Sequence, residues 1–384
     1  MNRHAFECLK WRRGLLGAVI TASVASANLA WADDLPAFVQ ESQKIVESGY
    51  KGNFDPPPTQ GPSAVRGKKV WYISCGQAYT ACSTMASGFA EAGKHLGWEV
   101  TIQDGKATPS VAADIIRLGV AARVDAIALF AFDCPGIKSA LLQAKQEKVP
   151  VEAAGSLDCS DPSFGNQEPL FTASVNLLGS TNAGEFYYKM GMARGHYIIA
   201  KTNGHANIVS INENGQRIQQ LNTEGFQKVL SACKDCKIDK TDFNFGQVPN
   251  PATQIWKSAV LRNAKANVIE YGIDALMDLG LRSAVQQIDL KNVIVGGGEG
   301  YPNNFGLIRQ GIQTFSVAVP YTWVGMAQAD NVNRILAGED PKTMPNEGTG
   351  FEYIDKEHNL PTEGQIFNPS LDFKSAYLKV WNSK

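Results

Sequence analysis

At 384 residues the chain is longer than one ordinary hydrophobic core organises, and at about 150 residues per domain it implies two lobes. With 44% hydrophobic and 19% charged residues and a formal net charge of −1, it is neither a disordered chain nor a polycation built to neutralise phosphates, so no nucleic acid is expected as a partner. One uninterrupted apolar stretch, at the extreme N-terminus, argues against a multi-span membrane protein.

Taken in chain order, residues 1–32 read as a cleaved secretory signal peptide. Lys10, Arg12 and Arg13 form the positive end, Gly14 to Ala27 the apolar stretch, and Ala30, Trp31 and Ala32 an A-x-A cleavage site. The surroundings of the Arg12-Arg13 pair fit a twin-arginine signal poorly, so general secretion is expected. Cleavage removes four basic residues and Glu7, taking the net charge from −1 to −4. Residues 33–67 form an N-terminal extension: one amphipathic stretch (Phe38 to Val46), then a linker from Asn53 to Pro62 whose prolines lack the donors of a helix or central strand.

From Lys68 onward, short apolar runs alternate with helical segments, the pattern of βαβ units around a parallel sheet. The first series reads strand Val70 to Ser74, helix Ser83 to Leu96, strand Glu99 to Asp104, helix Ser110 to Ala122, strand Ala126 to Phe130, helix Gly136 to Gln146 and strand Val149 to Ala153, closed by a strand at Leu170 to Val175. After a long helix, Leu178 to Ile199, a second series follows: strand Ala206 to Ile211, helix Ile218 to Ala232, strand Lys237 to Phe243, helix Ala252 to Ala264, strand Asn267 to Tyr271, helix Ala275 to Gln287 and strand Asn292 to Gly296. Strand Thr314 to Val319, helix Trp323 to Ala337 and a terminal helix near Phe373 to Trp381 complete the chain. The fold class is therefore α/β, two Rossmann-like lobes with parallel sheets.

Without Cys8 the exported chain has six cysteines, an even number in an oxidising compartment. Proximity in sequence pairs Cys75 with Cys82 and Cys233 with Cys236, leaving Cys134 with Cys159 to join two strand-to-helix loops. Cys233 and Cys236 lack the second Cys pair or nearby His that zinc needs.

Several runs now combine: Lys69 to Ser74 opening the first lobe, Gly88 to Gly93 followed by Leu96-Gly97-Trp98, Val124 to Leu129, Lys148 to Val151, Thr223 to Phe226 and Val293 to Gly297. In this order and spacing, within an exported pair of α/β lobes, they resemble the type 1 periplasmic solute-binding proteins of the ribose-binding, LacI-like group of ABC transporters. The resemblance spans Lys68 to about Ile354. It implies a three-segment hinge with crossings near Thr172 to Asn176, Ser316 to Tyr321 and Gly348 to Phe351, and a solute trapped as the lobes close. It divides the chain into an N-terminal lobe (68–174 plus 319–348) and a C-terminal lobe (175–318 plus 349–384).

Ligands should meet the loops at the carboxyl ends of the strands, where free backbone N–H groups converge. By resemblance, Tyr79, Phe132, Asp133, Asn176, Glu299 and Tyr321 contact the solute, with Gln77, Ser156, Arg217, Gln220 and Asp274 as further contacts. Arg217 either pairs a ligand carboxylate or salt-bridges on its own helix start, the commoner fate of such an arginine. The pentose pattern is not kept: Gly155-Ser156 stand where the family has an Asp-Arg pair, Gln220 replaces an arginine and Val319 a glutamine. Most of the charged clamp on sugar hydroxyls is lost, and the aromatic residues suit a sugar ring or an apolar solute alike.

Gly296 to Gly300 lacks the Gly-Lys-Ser/Thr ending of a phosphate loop and reads as a tight strand-to-loop turn. Gly88 and Gly93 read as relief of helix packing. His95, His196, His205 and His358 form no H-E-x-x-H and sit beside no G-x-S-x-G, so no enzyme activity, metal or cofactor is expected. The reading is a monomeric periplasmic receptor delivering a small-molecule solute to an ABC transporter permease in the inner membrane; the alternative is a ligand-sensing subunit for a membrane kinase or chemoreceptor.

Overall fold

Continuous apolar runs become the middle of two sheets. In the computed structural model, which describes residues 35–383 and so leaves the expected signal peptide outside the described residues, the run Ala126–Phe130 (β3) is buried at every position. That is the mark of a strand covered on both faces. β3 lies between β1 (Lys69–Ser74) and β4 (Val151–Ala154), in a parallel sheet of order β2-β1-β3-β4-β5 that includes β2 (Glu99–Asp104) and β5 (Ala173–Ser174). The second sheet runs β11-β10-β9-β8-β6-β7, built from β6 (Asn207–Glu213), β7 (Lys237–Phe243), β8 (Val268–Tyr271), β9 (Ile294–Glu299), β10 (Phe315–Ala318) and β11 (Glu352–Asp355). All its pairs are parallel except β10 with β11. Around Trp256, Phe243, Ile269 and Met277 a closed apolar core forms beneath it.

Helices α2 (Thr80–Leu96), α3 (Pro109–Ala121) and α4 (Cys134–Gln146) serve the first lobe. The second has α5 (Ala183–Thr202), α6 (Arg217–Leu230), α7 (Ala252–Arg262), α8 (Leu281–Val285) and α9 (Pro302–Arg309). Then α10 (Tyr321–Leu336) returns to the first lobe and packs on α2. Glycines permit that approach: a Cβ on Gly88 would strike the backbone of Thr322, and one on Gly325 the backbone of Met85. The chain passes between the lobes at residues 175–182, 319–320 and 344–351, and an isolated β-bridge, Asn176 with Asn346, helps tie the first passage to the third.

Local chemistry explains where elements depart from the sequence reading. The strand expected over Leu170 to Val175 shrinks to two residues because the Asp158 carboxylate accepts the N–H groups of Leu170 (2.9 Å) and Phe171 (3.2 Å). Helix α5 starts at Ala183 rather than Leu178, capped by the Asn182 side chain on the N–H of Glu185. The helix expected over Ala275 to Gln287 breaks into a 3₁₀ turn and α8 at Gly280, whose φ is 126°. Gly296 to Gly298, expected as a turn, are strand: β9 continues to Glu299, and a Cβ on Gly296 or Gly297 would strike the carbonyl of Phe315 or Tyr271 on the neighbouring strands.

The terminal helix α11 (Phe373–Trp381) was expected with the second lobe. It packs on α10 instead: Phe373 stacks on Trp323 with ring centroids 4.9 Å apart, the Trp381 indole donates to Asp330 at 2.6 Å, and Lys374 pairs with Glu91 of α2 at 2.7 Å. The amphipathic stretch of the extension forms α1 (Ala37–Gly49), which packs against α5.

Candidate functional site

Between the carboxyl ends of the two sheets lies a cavity of about 810 Å³. The first lobe lines it with Tyr79 from the loop after β1, Phe130 to Asp133 from the end of β3, and Phe164 from the loop after β4. The second lobe contributes Tyr187 of α5, Glu213 at the end of β6, Arg217 to Gln220 at the start of α6, Phe245 after β7, and Glu299 and Tyr301 at the end of β9. This is the rule for open α/β sheets, in which ligands sit outside the carboxyl ends of the strands.

Glu299 is the most constrained of these groups. It closes β9 with φ of 79°, a left-handed conformation costly for a residue with a Cβ, and it is 6% exposed. Its carboxylate accepts from the hydroxyls of Tyr301 (2.5 Å) and Tyr321 (3.1 Å), and burial pushes its carboxyl up to about 7 against the pull of those two donors. Asp133 stands at the position before α4, and its carboxylate accepts the N–H of Leu157 at 2.8 Å. Burial pushes its carboxyl up to about 6, opposed by the N–H groups of Leu157 and of Arg217, the latter from the opposite lobe. The rings of Tyr79 and Phe245, also on opposite lobes, meet edge to face at 6.1 Å. The two lobes thus touch around the cavity.

Of the six residues first assigned to the solute, Tyr79, Phe132, Asp133 and Glu299 line the cavity; Tyr321 reaches it through Glu299. Asn176 does not line it: in the first passage between the lobes, its side-chain amide donates to the carbonyl of Met344 at 2.9 Å. Among the further contacts, Arg217 and Gln220 line the cavity, but the Arg217 guanidinium is engaged by Glu224 at 2.6 Å and the Gln220 amide by the carbonyl of Asn214 at 2.7 Å. Gln77 is exposed, with its N–H on Asp104. Ser156 is buried and accepts the N–H of Phe132 at 2.9 Å. Asp274 is fully buried, holding Gly300, Ser316 and Gln313, and its carboxyl is pushed up to about 8 by that burial. Ser156 and Asp274 shape the loops that bear the site rather than its walls.

Sequence reasoning missed Phe130, Phe164, Tyr187, Glu213 and Phe245. Glu213 and Phe245 carried a usable signal, since each falls at the carboxyl end of a strand of the second series. Glu213 accepts the N–H groups of Gly215 (2.8 Å) and Gln216 (2.9 Å), which shapes the loop into α6.

All three expected disulfides are present: Cys75 with Cys82, Cys134 with Cys159 and Cys233 with Cys236, with Cα atoms 5.4, 5.1 and 5.3 Å apart. The first encloses Tyr79 in its loop, and the second begins beside Asp133. Two disulfides therefore fix the first-lobe lip of the cleft.

Residues 75–340 match the family model of the periplasmic binding protein domain, and the chain belongs to that family, one of solute-binding proteins. Its fold is shared with solved proteins at low identity. One is the periplasmic binding protein component of the arabinose ABC transporter from Shewanella sp. ANA-3, bound to arabinofuranose: 18% identical, TM-score 0.62, covering 75% of this chain and 92% of that one. Another is an ABC transporter periplasmic solute-binding protein from Actinobacillus succinogenes 130z with bound D-allose: 16% identical, TM-score 0.64, covering 76% and 98%. A third, from Agrobacterium vitis with bound allitol, is 16% identical with a TM-score of 0.62, covering 76% and 97%. A search of the curated proteins returned no match.

Proposed function

We propose that this protein is exported to the periplasm, captures a small solute in the inter-lobe cleft by hinge closure, and delivers it as a monomer to an ABC importer in the inner membrane, without catalysis of its own. The observation that carries this reading is the cavity walled from both lobes, with Tyr79 meeting Phe245 across it. Contacts of that kind exist only in the shut form, so a solute shifts the open–closed equilibrium by whatever it gains from the second lobe.

Tyr79, Phe132, Phe245 and Tyr187 offer ring faces, while Asp133 and Glu299 accept from hydroxyl donors; this suits a compact, ring-shaped or polyol-like solute. The sugars and the polyol in the solved relatives support the same class. The test is thermal unfolding of the mature protein against sugars, polyols and aromatic small molecules, where a solute at 100 times its Kd adds about 2.7 kcal/mol. A saturable rise in midpoint with sugars or polyols is expected, reduced at least tenfold in apparent affinity by Tyr79→Ala. A shift only with apolar aromatics reassigns the solute class. Unchanged affinity in Tyr79→Ala moves the site elsewhere.

A further inference from the structure

Residues 50–66 contain no helix or strand, yet their backbone is pinned along its length. On the second lobe, the Tyr50 hydroxyl donates to Asp355 of β11 at 2.5 Å, and the Tyr50 carbonyl accepts from Asn359 at 2.7 Å. The segment then runs antiparallel to the third passage between the lobes: the N–H of Asn53 donates to the carbonyl of Phe351 and that of Asp55 to the carbonyl of Gly348, both at 3.0 Å. That passage is built to admit it. A Cβ on Gly348 would collide with the carbonyl oxygen of Asp55, and a Cβ on Gly350 with that of Asn53. The Phe54 ring lies 5.8 Å from the ring of Trp323 and 6.5 Å from that of Phe367. On the first lobe, Arg334 of α10 donates to the carbonyl of Gln60 at 2.6 Å, and Asn333 accepts the N–H of Val65 at 2.9 Å. The Trp98 indole donates to the carbonyl of Val65 at 2.8 Å.

We infer that residues 50–66 are a fourth crossing of the hinge, a strap anchored on both lobes that limits how far they swing apart. The inference rests on the hinge-closure reading above. Its physical basis is length and stiffness. Between the anchors at Asp55 and Gln60 the chain reaches at most about 18 Å. Pro56, Pro57 and Pro58, each with φ fixed near −65°, leave it little freedom to coil or shorten. A hinge of three free segments bends until the lobes meet an obstacle, whereas this one must also stretch or compress a short, proline-stiffened tie.

The experiment inserts eight Gly/Ser residues between Pro58 and Thr59, which keeps every anchor but slackens the tie, and compares solution X-ray scattering with the parent, no solute added. Phe54→Ala, which unpins the strap without lengthening it, is measured alongside; near-ultraviolet circular dichroism checks that each variant is folded. The expected result is a small radius of gyration in the parent and a larger one, with a broader distance distribution, in the lengthened protein. If parent and both variants scatter alike as molecules with parted lobes, the strap limits nothing and this inference is overturned while hinge closure stands. If all three scatter alike as shut molecules, the lobes do not open and the hinge-closure reading falls with it.

Discussion

Glu299 shows how a single side chain joins backbone, burial and ligand chemistry. Its left-handed backbone ends β9, and its carboxylate is taken out of water, a cost that the tyrosine hydroxyls, the Asp274 backbone and the Arg194 charge offset only in part. Because the folded protein raises this carboxyl from 4.5 to about 7, the native state holds a proton that the unfolded chain has released. Stability therefore falls as pH rises from the ordinary glutamate range toward 7, then levels off. Glu299→Gln keeps the shape without the charge, so it should leave stability near pH 4 almost unchanged and raise it at pH 8 by about 3 kcal/mol; denaturant unfolding across that range checks this, and a constant difference would contradict it. As walls of the cavity, residues were legible where they follow a strand of the first series, as Tyr79, Phe132 and Asp133 do. Asn176 and Asp274 were misread for one reason: a polar side chain near the cleft loops looks the same in sequence whether it faces a solute or satisfies a buried backbone group.

Elements were legible where periodicity spoke alone. β2, β3 and β7 have the expected bounds: β3 is an apolar run buried at every position, while β2 and β7, each at an edge of its sheet, mix polar and apolar residues between turns. Bounds slipped where a side chain competed with the backbone, as Asp158 does before β5, or where a glycine run served as strand, as in β9. The disulfides act on this scale too. Cys134 and Cys159 close 25 residues, and replacing both with serine should cost about 3 kcal/mol through the freed unfolded chain and loosen the loop that presents Asp133. The pair Cys233 and Cys236, after α6, spans only 3 residues and lies away from the cavity lining. Its removal should lower the unfolding midpoint less and leave solute affinity unchanged. Equal affinity losses in the two double variants would show that the disulfides stiffen the whole fold rather than the cleft lip.

At the scale of the molecule, two lobes were readable because two βαβ series follow one another, but the chain order of the tail did not reveal its packing partner. The ring of Phe373 is met by Trp323, 50 residues earlier in sequence and in the other lobe from that assigned to the tail. The proposed closure of those lobes would also have a proton cost that can be signed. In the shut form burial is the main cause pushing Asp133 up to about 6 and Glu299 up to about 7. Parting the lobes returns water to the cleft and moves both carboxyls back toward their ordinary range. The shut form therefore holds more protons than the open one, and closing takes protons up. By linkage, closure is favoured at low pH and that advantage is lost as pH rises through the shut-form values. Affinity for a neutral solute from the thermal screen should be highest near pH 5 and weaken steadily toward pH 8. Calorimetric titration at pH 6.5 in two buffers of different ionisation enthalpy reads the protons directly. Net uptake on binding is expected, diminished in Glu299→Gln and again in Asp133→Asn; net release would mean that these two carboxylates are more hydrated shut than open, and that the cleft closes on water rather than expelling it.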